Sequence, residues 1–207
     1  MDYINIVNSA IENADNNVSG INPEILKIKG MSSPKIRHFL NNVCHFDGCK
    51  YLEIGSHRGS TFCSAINNNK TQAVSIDDFS GCANMLGPFP HNELTDNINK
   101  YKTESTAVFI NRSCWNVKLS EKFNVYFYDA NHEEQYQYKA FTYFNDVLED
   151  EFIAIVDDYR NDFVKRGTQR AFKDLKYNIV REWEKTTAIP NNDNGWWNGI
   201  YVAIIKK

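Results

Sequence analysis

Short apolar runs alternate with amphipathic stretches from residue 50 to the end of the chain. The runs resemble buried strands, whereas apolar residues in the intervening stretches recur at helical spacing. This alternation is typical of βαβ units and predicts an α/β fold with a doubly wound, mostly parallel sheet between helical layers. We expect seven strands, at residues 50–54, 72–76, 107–110, 123–128, 152–156, 178–183 and 199–205, and helices at 60–67, 93–102, 133–148 and 167–176.

The first 45 residues show helical spacing and no strand-like run. Ile4 and Val7 begin one amphipathic pattern, and a second helix is expected after Ser33, because Pro34 is tolerated in a first helical turn. We therefore divide the chain into an N-terminal helical extension and a main domain, residues 1–45 and 46–207.

The charge balance and the cysteines narrow the classes of function. Lys and Arg number 23 and Asp and Glu number 26, so the net charge of −3 gives no basic footprint for a nucleic acid. The five cysteines form no C-x-x-C pair, and we expect thiols in a reducing compartment rather than disulfides or zinc ligands. Without a membrane-spanning run or a signal-peptide pattern, we expect a cytoplasmic protein with no membrane contact.

The strongest local motif is a glycine-rich turn between the first predicted strand and the helix after it. Gly55 permits a sharp turn and a close approach of a ligand, while the N–H groups at the helix start favour polar ligand groups. We expect Ser60 or Thr61 to cap this helix and Glu53 to face a crevice, where it can accept from an ammonium group. The spacing from Gly55 to Gly59 is short for a dinucleotide fingerprint, so adenosine without phosphates fits better.

Carboxylates follow three of the predicted strands. Asp77 ends the second strand where doubly wound sheets bind ribose hydroxyls, unless Asp77 and Asp78 only cap the next loop. Asp129, Asp157 and Asp158 end the fourth and fifth strands at the same edge. Crowded carboxylates repel each other unless a cation or a proton lies between them, and oxygen ligands suit magnesium. The alternative is that either Asp157 or Asp158 caps the following helix, while Asp129 accepts a hydrogen bond from the backbone or the substrate.

His132 follows Asp129 into the same crevice. Its unperturbed pKa near neutrality makes it a candidate general base, although a purely structural role is an equal alternative.

These motifs together resemble class I S-adenosylmethionine-dependent methyltransferases, and among them the macrocin O-methyltransferase-like group of sugar O-methyltransferases. The resemblance spans about residues 30–206. It is carried by the segments 51–61, 75–77, 128–132, 155–159, 166–167 and 198–203. It implies six parallel strands with an antiparallel last one. The glycine turn is generic, whereas an aspartate followed later by Asp-Asp-Tyr is much more specific.

The resemblance also implies roles for individual residues. It places Asp77 at the cofactor ribose, Ser113 near the adenine, and three carboxylates at a magnesium ion, namely Asp129, Asp157 and Asp158. The candidate cofactor-binding residues are Glu53, Gly55, Ser56, Gly59, Ser60, Thr61, Asp77, Asp78, Ser113 and Asp129. The candidate catalytic residues are His132, Asp129 and Asn131.

One departure from the family pattern concerns the general base. The family often has Gly-Asp after the first metal aspartate, and that second aspartate is the proposed base, whereas this chain has Ala130 and Asn131. Because an asparagine cannot take a proton, either His132 substitutes or catalysis relies on the metal alone.

The expected function is metal-assisted O-methylation of a hydroxylated small molecule or sugar. The sequence leaves open whether the chain forms a homo-oligomer. A divalent ion would orient the acceptor and lower the pKa of its hydroxyl. The alternatives are a catalytically silent relative that binds the cofactor and a nicotinamide-dependent oxidoreductase. We expect the acceptor to be selected by the N-terminal helices and the loop at residues 79–91. The pair Trp196 and Trp197 either lines that acceptor pocket or pins the last strand to the core.

Overall fold

The computed structural model describes residues 1–80 and 91–207. Its strands are β1 (Lys50–Ile54), β2 (Gln72–Asp77), β3 (Thr106–Asn111), β4 (Phe123–Tyr128), β5 (Leu148–Val156), β6 (Asn178–Lys185) and β7 (Ile200–Lys206). They form one sheet in the order β3-β2-β1-β4-β5-β7-β6. The first five pair in parallel, and β7 runs antiparallel to both β5 and β6. The predicted doubly wound, mostly parallel sheet with an antiparallel last strand is confirmed.

Helices cover both faces of this sheet. They are α1 (Tyr3–Asp15), α2 (Pro34–Val43), α3 (Ser60–Ile66), α4 (His91–Tyr101), α5 (Glu134–Phe144) and α6 (Asp162–Asp174). The side chains of β4 alternate between two apolar cores. Val125 and Phe127 pack with α1 to α4, whereas Tyr126 and Tyr128 pack with α5 and α6. Burial on both sides explains why the central strands are apolar along their whole length.

The N-terminal helices pack into the same core as one face of the sheet. Ser33 is the N-cap of α2 and accepts from the Ile36 N–H, with Pro34 in the first turn, as the sequence predicts. The buried guanidinium of Arg37 donates to the carbonyls of Ile25, Leu26, Ile28 and Ser32. It thereby holds the segment before α2 in place beside the start of α3.

Three predicted boundaries near the C-terminal half are wrong. The helix expected at 133–148 ends at Phe144, and a 3-10 turn at Asn145–Val147 follows it. Strand β5 then begins at Leu148, which pairs with Phe123 of β4, and Glu151 before the apolar run pairs with Lys206 of β7. Helix α6 begins at Asp162 rather than 167, and the side chain of Asn161 caps it by accepting from the Phe163 N–H.

The expected cap of α3 is also wrong. The N-cap is Gly59, in the left-handed region at φ 84°, and no side chain caps the helix. Thr61 instead donates its hydroxyl to Glu53, and Ser60 lies within the first turn. A residue without a side chain fits here, because an added Cβ would lie 2.6 Å from Leu94 Cδ1.

The described cysteines are free thiols. Cys44, Cys49 and Cys63 are buried and Cys114 is partly buried, while Cys82 lies outside the described residues. Within residues 1–80 and 91–207, no helix is long and apolar enough to cross a membrane.

Candidate active site

The carboxyl ends of four neighbouring strands meet at one edge of the sheet. Hydrogen bonds continue past the ends of the strands, from the Gly55 N–H to Ile76 and from the Asp129 N–H to Ile54. Gly55 approaches Asp129 so closely that an added Cβ would lie 1.9 Å from the Asp129 carbonyl oxygen. The glycine turn and the aspartate after β4 are therefore held side by side.

A cavity of about 680 Å³ opens above this edge. This volume is within the range of cavities that bind small molecules and cofactors. Its lining includes twelve of the fourteen sequence-predicted site residues, namely Gly55, Ser56, Ser60, Thr61, Asp77, Asp78, Ser113, Asp129, Asn131, His132, Asp157 and Asp158. Two predicted cofactor residues, Glu53 and Gly59, do not line it.

Asp77 fixes the shape of the glycine turn. One of its carboxylate oxygens accepts from the N–H groups of Ser56 and His57 at 2.9 and 2.7 Å, and the other accepts from Phe79. Asp78 accepts from the Ser80 N–H in the same manner. Both aspartates thus cap the turns around them while they line the cavity, so the two alternatives for Asp77 are compatible with each other.

Glu53 lies beneath the cavity and is fully buried. Its carboxyl accepts from the Tyr51 hydroxyl at 2.5 Å and from the Thr61 hydroxyl at 2.9 Å. Burial raises the pKa of Glu53 to about 8, although the hydrogen bonds act in the opposite direction. The side chain braces the glycine turn from below, and direct contact with an ammonium group stays a prediction.

Four titratable groups, His132, Asp129, Asp157 and Asp158, lie together on the wall of the cavity. The Nδ1 atom of His132 lies 3.3 Å from Asp158 Oδ2, and its Nε2 atom lies 3.8 Å from Asp129 Oδ1. Burial by itself lowers the pKa of His132, but the carboxylates of Asp129 and Asp158 outweigh it and the pKa is raised. The pKa of Asp157 is raised well above its usual value by burial and by those two carboxylates. The crowding therefore favours a proton on Asp157 more than on an exposed aspartate.

The carboxylate oxygens of these aspartates are of the type that binds a hard cation, but they do not form a complete metal site. The buried atoms Asp157 Oδ1 and Asp158 Oδ1 have no hydrogen-bond partner, as oxygens that could bind a cation would. Across the part of the chain that the structure describes, however, no three His, Cys, Asp or Glu side chains group closely enough to hold a metal ion. His132 is the basic side chain whose ring nitrogens face Asp129 and Asp158.

Asn131 has a structural role that the resemblance to the methyltransferases did not predict. Its side-chain oxygen accepts from the Glu133 N–H at 2.8 Å, and its backbone oxygen accepts from Tyr128 and Gln137. Asn131 therefore shapes the entry to α5 at the rim of the cavity.

Several residues that line the cavity belong to no motif that the sequence analysis identified as a site. His57 reaches the cavity with both ring nitrogens buried and unpartnered. The segment before α2 contributes Met31, Trp115 stacks on Tyr136 at 6.0 Å, and the connection from β6 to β7 contributes Trp197. Of these residues, only His57 could have been predicted from the sequence, because it lies inside the glycine turn. Residues 81–90 of the loop expected to select the acceptor lie outside the described residues.

Comparisons with known proteins identify the fold. No family model matches the chain, and no curated protein matches it in sequence. An O-methyltransferase from Bacillus cereus, solved in complex with SAH, is 15% identical, with a TM-score of 0.60 over 96% of this chain and 91% of that one. The O-methyltransferase TomG from Streptomyces achromogenes, involved in tomaymycin synthesis and solved with SAM, is 13% identical, with a TM-score of 0.60 over 100% of both chains.

A third similar structure is the ribosomal protein L11 methylase from Lactobacillus delbrueckii subsp. bulgaricus, 10% identical, with a TM-score of 0.57 over 84% of this chain and 78% of that one. The fold is thus the Rossmann-like fold of S-adenosylmethionine-dependent methyltransferases. Because the named proteins include an O-methyltransferase involved in tomaymycin synthesis and a ribosomal protein methylase, the fold leaves the acceptor open.

The buried Glu53 carboxyl makes stability depend on pH. It ionises near pH 4.5 when the chain is unfolded and near pH 8 when it is folded, so folding binds a proton between these values. Its contribution to stability is complete below pH 4.5 and is lost as the pH rises through 8. The slope for this group is about −1.4 kcal/mol per pH unit.

We expect the free energy of unfolding of the wild type, measured with urea between pH 5.5 and 7.5, to fall by about 1–3 kcal/mol more than that of Glu53→Gln. A constant offset between the two proteins is also expected, because the Gln amide nitrogen cannot accept from Tyr51 or Thr61. The exposed substitution Glu104→Gln serves as the control and should follow the wild type. Parallel pH profiles for the wild type and Glu53→Gln would contradict the assignment.

Proposed function

We propose that this chain is an S-adenosylmethionine-dependent methyltransferase that methylates a hydroxyl group of a small molecule. The observation that carries the proposal is a cavity lined both by the glycine turn and by the cluster of His132 and carboxylates. The two O-methyltransferases of similar fold that were solved with SAH and with SAM support the cofactor assignment.

The charge of the cavity suits this cofactor. The backbone N–H groups of Gly55, Ser56 and His57 are bound by Ile76 and Asp77, so the glycine turn forms no cradle for a diphosphate, which fits adenosine without phosphates. The carboxylates beside the turn, Asp129, Asp157 and Asp158, would attract a sulfonium cation. Ser113 and Asp78 would lie along the adenosine, and Ser56, Ser60 and Thr61 along the methionine end.

Methyl transfer is an in-line displacement, in which the acceptor oxygen attacks the methyl carbon and the neutral thioether leaves. Alignment of oxygen, carbon and sulfur can contribute about 7–11 kcal/mol. The hydroxyl proton must go to a base, and His132 is placed for this. Its Nδ1 faces Asp158 and its Nε2 has no hydrogen-bond partner. With the proton on Nδ1, held by Asp158, Nε2 is free to accept the acceptor proton.

A divalent ion is the second part of the proposal. Asp129, Asp157 and Asp158 would hold it, and it would lower the pKa of a bound hydroxyl. The two unpartnered buried oxygens support this. The side chains would have to converge further than they do here, since no ready metal group exists among the described residues.

Titration calorimetry with S-adenosylhomocysteine tests the cofactor assignment. We expect micromolar binding to the wild type and at least about tenfold weaker binding to Asp77→Asn, because the charge that organises the turn and meets the ribose is lost. Asp96→Asn, which makes the same charge change on exposed α4, should bind as the wild type does. Absence of binding to the wild type would refute the proposed function.

Manganese titration, followed by the electron paramagnetic resonance of free Mn²⁺, tests the metal independently of turnover. We expect the protein saturated with S-adenosylhomocysteine to bind about one ion, and Asp157→Asn to bind it at least about tenfold more weakly because one ligand charge is lost. Asp96→Asn is again the control. Equal free Mn²⁺ signals for the wild type and Asp157→Asn would exclude the metal and leave His132 as the group that handles the proton.

A further inference from the structure

A second cavity, of about 340 Å³, lies away from the candidate active site. It is lined by residues of α6, β6 and β7 and of the loops at the two ends of α6. None of these residues lines the active-site cavity. The volume is within the range of cavities that bind small molecules, so the second cavity is a candidate site for a separate ligand.

Aromatic rings form much of the wall of this second cavity. Tyr159 stacks on Tyr201 of β7 with the ring centroids 4.5 Å apart, and Phe172 of α6 lies 5.5 Å from the ring of Tyr177. The hydroxyl of Tyr177 donates to Asn145 at 2.8 Å, which holds that ring in place. Such a wall favours an aromatic ring in the ligand, because aromatic pairs are stabilised by their geometry in addition to the area that they bury.

Thr168 of α6 contributes a hydroxyl group to which no hydrogen bond is made. The residue lines the second cavity and is fully buried, and among the described residues its Oγ1 atom has no partner. Buried polar atoms in native proteins nearly always have a partner, so the missing one indicates a polar group that enters the cavity. A phenol hydroxyl can donate to this atom or accept from it.

Two exposed side chains of opposite charge line the same cavity. The ammonium group of Lys173 has no partner within the part of the chain that the structure describes. Glu182 of β6 accepts from the Tyr201 hydroxyl at 2.5 Å and has no cation beside it in that part of the chain, whereas Glu184 is paired with Lys165 at 2.7 Å. A small molecule that carries one carboxylate and one ammonium group would therefore meet a complementary charge for each.

We propose that the second cavity binds a free aromatic amino acid in its zwitterionic form. The carboxylate of the ligand lies at Lys173 and its ammonium group at Glu182, while its ring lies among the aromatic side chains with a polar substituent at Thr168. A ligand with only one of the two charges leaves either Lys173 or Glu182 without a counter-ion. The inference is independent of the proposed function, because the two cavities share no lining residue.

Saturation-transfer difference NMR on the full chain tests this proposal with three probes. They are L-tyrosine, tyramine, which lacks the carboxylate, and 3-(4-hydroxyphenyl)propionate, which lacks the ammonium group. We expect tyrosine to receive saturation at its ring protons and to bind with a Kd below about 1 mM. Each analogue should bind about threefold to fivefold more weakly, which is the contribution of one exposed ion pair.

Two charge variants assign the contacts. Lys173→Gln should weaken tyrosine binding about threefold to fivefold and leave tyramine binding unchanged, whereas Glu182→Gln should weaken tyrosine to the same extent and leave the propionate unchanged. Because a Gln side chain can still accept from Tyr201, the second variant keeps the wall of the cavity. The exposed substitution Lys118→Gln is the matched control. Asp77→Asn should bind tyrosine as the wild type does, because Asp77 lines only the active-site cavity.

Three results would overturn the proposal. The first is a wild type that does not bind tyrosine, or that binds either analogue as tightly as tyrosine. The second is tyrosine binding of equal strength in the wild type, Lys173→Gln and Glu182→Gln. The third is loss of tyrosine binding in Asp77→Asn, which would place the ligand in the active-site cavity. The proposed function is unaffected by the first two results, because it is tested by binding of S-adenosylhomocysteine.

Discussion

The close contact between the ends of β1 and β4 is the constraint on which the rest of the site depends. Parallel strands bring their carboxyl ends to one edge, and the backbone of Gly55 lies directly against the carbonyl of Asp129. Any side chain at Gly55 would push the glycine turn away from the strand that carries Asp129 and His132. The turn is further held by Asp77 from the side and by Glu53 from below. The cavity is thus a consequence of strand order and of one residue without a Cβ.

The parts of the fold that repeat a simple pattern could be predicted from the sequence. The central strands are buried on both faces, so they appear as continuous apolar runs, and the residues that end them necessarily meet at one edge. The location of Asp77, Asp129, Asp157 and Asp158 at one edge of the sheet follows from this reasoning. It needed only the chain direction of each strand and not the contacts of individual side chains.

The predictions that failed concern features that are set by contacts between distant segments. Gly167 resembled a helix start, yet it lies within α6, where α5 packs so closely that an added Cβ would meet the Glu134 carbonyl at 2.4 Å. The helix expected before it was extended to Leu148, yet β5 begins at that residue, and Glu151 of β5 lies opposite Lys206 of β7. The residues of the connection that reach the cavity, Trp197 among them, are placed by hydrogen bonds to residues after β5. No periodicity in a single sequence records such contacts.

The connection from β6 to β7 carries one buried and one partly buried tryptophan. Trp196 packs against Phe39 of α2, near the segment that Arg37 holds, whereas Trp197 lines the cavity.

The most direct test of the central claim is a crystal structure of the protein grown with S-adenosylhomocysteine. The account predicts the ligand in the cavity, with its ribose at Asp77, its amino-acid end at the glycine turn and its sulfur facing Asp129 and His132. Ligand density at any other place, or in this cavity with the sulfur turned away from these two residues, would contradict it.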